Sequence, residues 1–253
     1  MEPIYTEQFE IDDAAVDRFG RMKPAYYLYL AQEMGGRHCT ALSLDYETLA
    51  GRGVFWAVSR HRVQITRTPM LGETIRVETW PLPPTRAAYP RSVVAYYEQG
   101  NEVFRSMSLW VLMDIQSRKM ILPGSSGIEL AGTVRGNELA VPGSLMPRTS
   151  DNTRQRTIAF TDLDRNGHMN NTRCMDWIAD LMPSEFHKGH LLKEFTVCYL
   201  AEALEGQELR LSLTAPDDTT MQVDAACGEG EQHHRVFSAR LLFGPAEAGE
   251  ELR

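Results

Sequence analysis

The chain has 253 residues, 43% of them hydrophobic and 24% charged, which supplies one large or two modest domains with real cores and excludes a disordered polypeptide. Its 34 acidic and 26 basic residues leave a formal net charge of −8, which argues against a nonspecific nucleic-acid binder, since displacing phosphate counterions needs a basic surface.

In chain order, Met1-Glu2-Pro3-Ile4-Tyr5 lacks a basic region followed by an apolar run. No stretch of about 18 apolar residues occurs anywhere, so a cytoplasmic protein without membrane insertion is expected. Lys23 to Ala31 reads as a helix with Pro24 in its first turn and apolar residues on nearly every side, hence deeply buried, and Gly35-Gly36 should weaken it. Phe55 to Trp80 predicts two strands around Pro69-Met70-Leu71-Gly72, because Ile75, Val77 and Thr79 alternate with Thr74, Arg76 and Glu78. Arg91 to Tyr97 and Val103 to Met113 flank Gln99-Gly100-Asn101, a hairpin signal. From Leu122 to about Arg154 periodicity gives way to Pro, Gly, Ser and Thr, which predicts an interdomain linker.

After the linker the pattern restarts. Asp164-Arg165-Asn166-Gly167-His168-Met169 repeats the Asp, Arg, Gly and Met of Asp17-Arg18-Phe19-Gly20-Arg21-Met22, and a helix is predicted after each. Met70 to Val77 finds its counterpart in Leu204 to Leu211, and Gly100, Arg105 and Ser108 find theirs in Gly230, Arg235 and Ser238. Preserved order across three blocks points to a duplicated unit of one helix followed by antiparallel strands. Such a unit buries a very apolar helix by wrapping its sheet around it, an α+β layout.

The stretch from Asp162 to Trp177 is the richest in chemistry. If the backbone is extended, Asp164, Asn166 and His168 share one face, and Gly167 allows a sharp turn. Cys174, Trp177, Ile178 and Leu181 then form one stripe of an amphipathic helix, which places the polar cluster at a helix N-terminus. Backbone N–H groups there, near Met169 and Asn170, could hold a carbonyl oxygen as it gains charge. A plain Asn/Gly-rich turn is the bland alternative. A calcium loop is the other: Asp162, Asp164, Asn166 and Gly167 fit its opening, but the position that must supply a bidentate Glu is Arg173, so no metal is expected. In the first copy Asn166 and His168 are replaced by Phe19 and Arg21, which predicts a reactive second half and a greasy acyl pocket around Tyr26, Tyr29, Phe55 and Trp56 in the first. Cys39, Cys174, Cys198 and Cys227 show no C-x-x-C spacing and imply no disulfide framework.

The D-x-N-x-H-x-N-N run from Asp164 to Asn171, followed by Trp177, resembles the acyl-acyl carrier protein thioesterases. Trp56, Pro69, Gly72-Glu73, Thr79-Trp80 and Ser108-Leu109-Trp110 are similar to that family's pattern too. The resemblance implies a tandem double hotdog, two antiparallel sheets each wrapped around a long central helix. It implies an acyl-binding domain over 1–130, a linker over 131–149 and a catalytic domain over 150–253. It carries the catalytic Asp, Asn and His onto Asp164, Asn166 and His168, and a carboxylate in a strand after the helix onto Glu202. Many members have cysteine next; here it is Ala203, which puts a Cys–His mechanism in doubt, while Cys198 would share a strand face with Glu202 and reads better as a buried structural thiol. The implied activity is hydrolysis of acyl thioesters on acyl carrier protein, without cofactor or metal, by a chain that could be a homodimer. His168 and Glu202 would handle protons or water, Asp164 would orient His168 or assist the base, and Asn166 with the Met169 and Asn170 N–H groups would polarise the carbonyl. An acyl-coenzyme A thioesterase, a dehydratase of similar fold and a non-catalytic acyl-binding module are the alternatives.

Overall fold

The computed structural model describes residues 3–228, 230 and 233–246, so residues 247–253 of the expected second domain lie outside the described part. The first half runs β1 (Tyr5–Glu10), α1 (Pro24–Ala41), α2 (Tyr46–Ala50), β2 (Val54–Ile65), β3 (Thr74–Pro81), β4 (Tyr89–Tyr96), β5 (Glu102–Asp114) and the short β6 (Met120–Ile121). The second runs β7 (Thr153–Thr157), α3 (Arg173–Ala179), α4 (Ser184–Gly189), β8 (His190–Tyr199), β9 (Glu208–Thr214), β10 (Thr220–Cys227) and β11 (His234–Pro245).

The strands form one antiparallel sheet in the order β1-β3-β4-β5-β2-β8-β11-β10-β9-β7, with β6 on β5. Read inward from either edge, each half contributes its first, third, fourth, fifth and second strand. Two sheets, one wrapped around each helix, were expected; they are joined into one, with β2 pairing β8 from Arg60↔Cys198 to Gln64↔Glu194. Each half leaves an edge of unpaired backbone there, and joining the edges satisfies both. Arg62 reinforces the seam with two hydrogen bonds of 3.0 Å to the Glu194 carboxylate.

α1 carries the expected buried face: Leu30 and Met34 are fully covered and Tyr27 stacks edge-on against Phe104, with ring centroids 5.0 Å apart. Each such side chain contributes about 1.5–3 kcal/mol by leaving water. The helix does not weaken at Gly35-Gly36 but runs through to Ala41. Gly35 is buried where the Arg91 side chain crosses the helix, and a Cβ there would stand 3.3 Å from Arg91 Cδ. The long second helix is not found. α3 is seven residues, because Pro183 follows Met182, disfavours helical backbone there, and starts a separate short helix. Trp177 and Ile178 of α3 and Tyr27 and Met34 of α1 belong to one hydrophobic core that spans both halves.

The segment expected as a linker packs as an irregular strap on the opposite face of the sheet. Glu138 accepts from Trp80 Nε1 (3.2 Å), the Pro142 carbonyl from Arg60 (3.2 Å), the Met146 carbonyl from Gln222 (2.8 Å), and Arg148 N–H donates to Asp224 (3.0 Å). No helix among the described residues is long and apolar enough to cross a membrane.

Candidate active site

Asp164 to Met169 forms a tight turn rather than an extended strand, closed by a bridge between Leu163 and Met169. The Asp164 N–H donates to the His168 carbonyl at 2.8 Å and the Gly167 N–H to the Asp164 carbonyl at 3.0 Å. Asp164 Oδ1 accepts from the N–H groups of Asn166 (2.8 Å) and His168 (3.2 Å). Gly167 turns the chain with φ 76°, a region glycine enters without steric cost. Asp17 to Met22 in the first half makes the same bonds: Asp17 N–H to the Arg21 carbonyl (2.8 Å), Gly20 N–H to the Asp17 carbonyl (3.0 Å), and Phe19 and Arg21 N–H to Asp17 Oδ1 (2.8 and 3.1 Å), with Gly20 at φ 71°.

The Asp164 carboxylate is engaged by the turn's backbone and, through Oδ2 at 3.4 Å, by the Asn166 amide, and makes no hydrogen bond to the His168 ring. The first half needs an aspartate at the same place although Phe19 and Arg21 offer no such chemistry there.

Glu202 also departs from expectation. β8 ends at Tyr199, so Glu202 stands in the loop beyond it, with half of its side chain exposed, and shares no strand face with Cys198. The loop is pinned to the turn by the Met169 N–H donating to the Ala203 carbonyl (2.8 Å) and by a bridge between His168 and Leu204. Those ties bring Glu202 Oε2 to 3.5 Å from His168 Nε2. Between them lies Arg118, from the turn linking β5 to β6, whose terminal nitrogen is 3.2 Å from each. Arginine is a donor only, so His168 Nε2 is the unprotonated acceptor. Sequence reasoning missed Arg118, since nothing in Ser117-Arg118-Lys119 marks a contact with a histidine 50 positions away.

These groups line a cleft of about 420 Å³ between the halves. Phe55, Trp56, Val111 and Met113 form its wall from the first half, and Asp164, Asn166, His168, Asn171, Tyr199, Glu202 and Phe237 line it from the second. Phe55 and Trp56 are therefore where an acyl chain could lie. Tyr26 and Tyr29 do not line this cleft: they pack on each other on α1 with centroids 5.1 Å apart, and Tyr29 is 44% exposed.

Both backbone donors expected for the carbonyl oxygen are already engaged: Met169 N–H by the Ala203 carbonyl and Asn170 N–H by the Asp162 carbonyl, each at 2.8 Å. Asn171 is the better donor. Its N–H has no partner among the described residues, and the carbonyl of the same peptide, that of Asn170, accepts from the Arg173 N–H at 2.9 Å, which fixes the peptide plane at the cleft. The Asn166 side chain, held only by the long contact to Asp164, supplies a second N–H.

The four cysteines are free thiols. Burial pushes Cys174 up to about 12, and burial also raises Cys198, whose sulfur faces the strap at the Gly143 carbonyl (3.6 Å). The calcium pattern dissolves in three dimensions: Asp162 is buried and takes Trp177 Nε1 at 3.2 Å and Arg173 Nε at 3.3 Å. No group of three or more potential metal ligands occurs among the described residues.

Comparison with known proteins follows the same division of the chain. Residues 2–122 match the family model of the acyl-ACP thioesterase N-terminal domain, and residues 146–237 that of the C-terminal domain. A palmitoyl-acyl carrier protein thioesterase of Gossypium hirsutum is 26% identical over 80% of this chain and 52% of its own length. A dodecanoyl-[acyl-carrier-protein] hydrolase of Cinnamomum camphora is 27% identical over 71% of this chain and 49% of its own. The chain thus spans about half the length of these curated relatives. Among solved structures, an acyl-ACP thioesterase from Bacteroides thetaiotaomicron superposes with a TM-score of 0.83 at 22% identity, covering 96% of this chain and 98% of that one. The 12:0-ACP thioesterase from Umbellularia californica gives 0.81 at 22% identity, covering 97% and 99%. The overall fold is that of these structures.

Proposed function

Because the chain belongs to the acyl-ACP thioesterase family, we propose that it hydrolyses acyl thioesters of acyl carrier protein in the cleft between its halves. The observation that carries this reading is the convergence of two proton acceptors, His168 Nε2 and Glu202 Oε2, on one point of a cleft with an apolar wall. A water that takes the place of the Arg118 nitrogen between them attacks the thioester carbonyl carbon. As the C–O bond forms, its proton passes to His168 Nε2, while Glu202 steadies the water and the imidazolium charge. The carbonyl oxygen becomes an oxyanion, for which the Asn171 N–H and the Asn166 amide are the donors. The C–S bond then breaks, the sulfur takes the proton from His168, and free fatty acid and carrier thiol leave.

The architecture we read as two hotdog-type units, over 1–130 and 150–253, joined edge to edge; the identical strand order from either edge supports this. In that reading the first unit shapes the acyl site through Phe55 and Trp56 while the second performs the chemistry.

Thiol release from matched acyl-carrier and acyl-coenzyme A substrates tests the proposal. The carrier substrate should turn over faster. Its kcat/KM should also fall more steeply with salt than that of a small neutral thioester, because an acidic carrier must meet gathered basic residues on a chain of net charge −8. Faster turnover of the coenzyme A ester would count against a carrier-protein substrate, and hydrolysis of neither against the whole reading.

A further inference from the structure

Arg118 stands in a turn built to hold it. Asp114 Oδ1 accepts the N–H groups of Gln116 (3.1 Å) and Ser117 (2.7 Å) and the Ser117 hydroxyl (2.8 Å), and the Arg118 N–H donates to the Asp114 carbonyl at 3.0 Å. Within this turn Arg118 has φ 56°, a left-handed conformation unfavourable for a residue with a Cβ. Such outliers collect at functional sites, where surrounding contacts over-determine them. Here the contacts are with the reacting groups: the guanidinium lies over the Phe55 ring, 5.2 Å from its centroid, and one nitrogen reaches both Glu202 and His168 at 3.2 Å.

With Arg118 donating to His168 Nε2, the histidine and the glutamate 3.5 Å from it both face the same cationic donor. A guanidinium NH2 offers two protons, one for each. So does a water molecule. We infer that Arg118 is a positioning residue: its guanidinium, paired with Glu202 and donating to His168 Nε2, holds the two side chains on either side of one point, which an attacking water enters as the arginine nitrogen withdraws. The inference rests on the hydrolase reading above, and it makes the site a composite, with its chemistry on the second half and its alignment supplied by the first.

Arg118→Gly tests this without the usual penalty, since glycine accepts φ 56° freely and the variant should melt no lower than the parent. We expect its kcat on the acyl-carrier substrate to fall by about 100-fold while KM stays within about threefold. Guanidinium ion, well below denaturing concentration, should restore part of the loss where sodium at equal ionic strength does not, and Arg118→Lys should fall between the two. A kcat within about twofold of the parent, or a loss wholly in KM, would overturn the inference. If the parent itself hydrolyses no thioester, the reading above fails. The alignment can still be judged by 15N NMR of the His168 ring: Nε2 should report an unprotonated acceptor that changes on Arg118→Gly, and an unchanged spectrum would sink it.

Discussion

Asp17 to Met22 and Asp164 to Met169 share one backbone: the same aspartate accepting the same two N–H groups, and a glycine in the left-handed region at the same place. They differ in what the turn displays. The first shows Phe19 and Arg21, the latter buried and donating to the His187 carbonyl at 2.8 Å; the second shows Asn166 and His168 on a cleft. The motif's aspartate and glycine build the same turn in both halves, and what distinguishes the halves is the residues between and after them. The aspartate carboxylate is a backbone ligand in both.

The largest expected effect separates the displayed residues from the turn itself. His168→Ala and Glu202→Gln should each lower kcat by about 100-fold to 10,000-fold with little change in KM, whereas Arg21→Met, Cys174→Ala and Cys198→Ala in folded protein should leave kcat close to the parent. A dead Cys198→Ala beside a fully active Glu202→Gln would reverse the assignment.

A smaller effect should appear equally in both halves. Asp17→Ala and Asp164→Ala each remove an acceptor for two backbone N–H groups and should cost on the order of 1–2 kcal/mol in denaturant unfolding. Asp164→Asn keeps an acceptor oxygen, so its kcat should stay within about tenfold of the parent. Activity as low as that of His168→Ala would restore a chemical role to Asp164.

The smallest effect concerns buried polar pairs on the two faces of the sheet. Under the strap, Asp224 of the second half meets Gln222 Nε2 (2.9 Å) and the Arg148 N–H (3.0 Å); on the core face of the first half, where His61 pairs with Val197, His61 Nε2 meets Ser106 Oγ at 3.1 Å. Burial pushes His61 down to about 3 from an ordinary 6.5. The unfolded chain then binds a proton that the folded one refuses, so this contribution is complete above about pH 6.5 and is lost as pH falls toward 3, by at most about 1.4 kcal/mol per pH unit. Unfolding free energies between pH 7 and 4 should show a shallower decline in His61→Gln than in the parent. Parallel declines would exclude His61 as the source.

What was legible from residues alone is what depends on neighbours in the chain. The buried face of α1, the hairpin at Gly100 and the repetition of the Asp-x-x-Gly motif follow from periodicity, proline and glycine placement and residue order, and all appear in the structure, although the motif folds as a turn where an extended backbone was expected. Motif resemblance also brought His168, Asn166 and Glu202 to one site, and they do line one cleft. Tertiary structure decided the rest. It alone joins β2 to β8, because two exposed sheet edges find each other only after each half has folded. The amphipathic stripe after Asn171 promised a long helix, yet Pro183 and the common core stop α3 at Ala179. The N–H left over at the cleft is that of Asn171, one residue beyond the expected pair, since which N–H remains depends on the bonds its neighbours make to Ala203 and Asp162. Arg118 could not be read at all: its partners lie in the other half, and only the closing of the sheet seam carries a turn after β5 to the histidine and glutamate it touches.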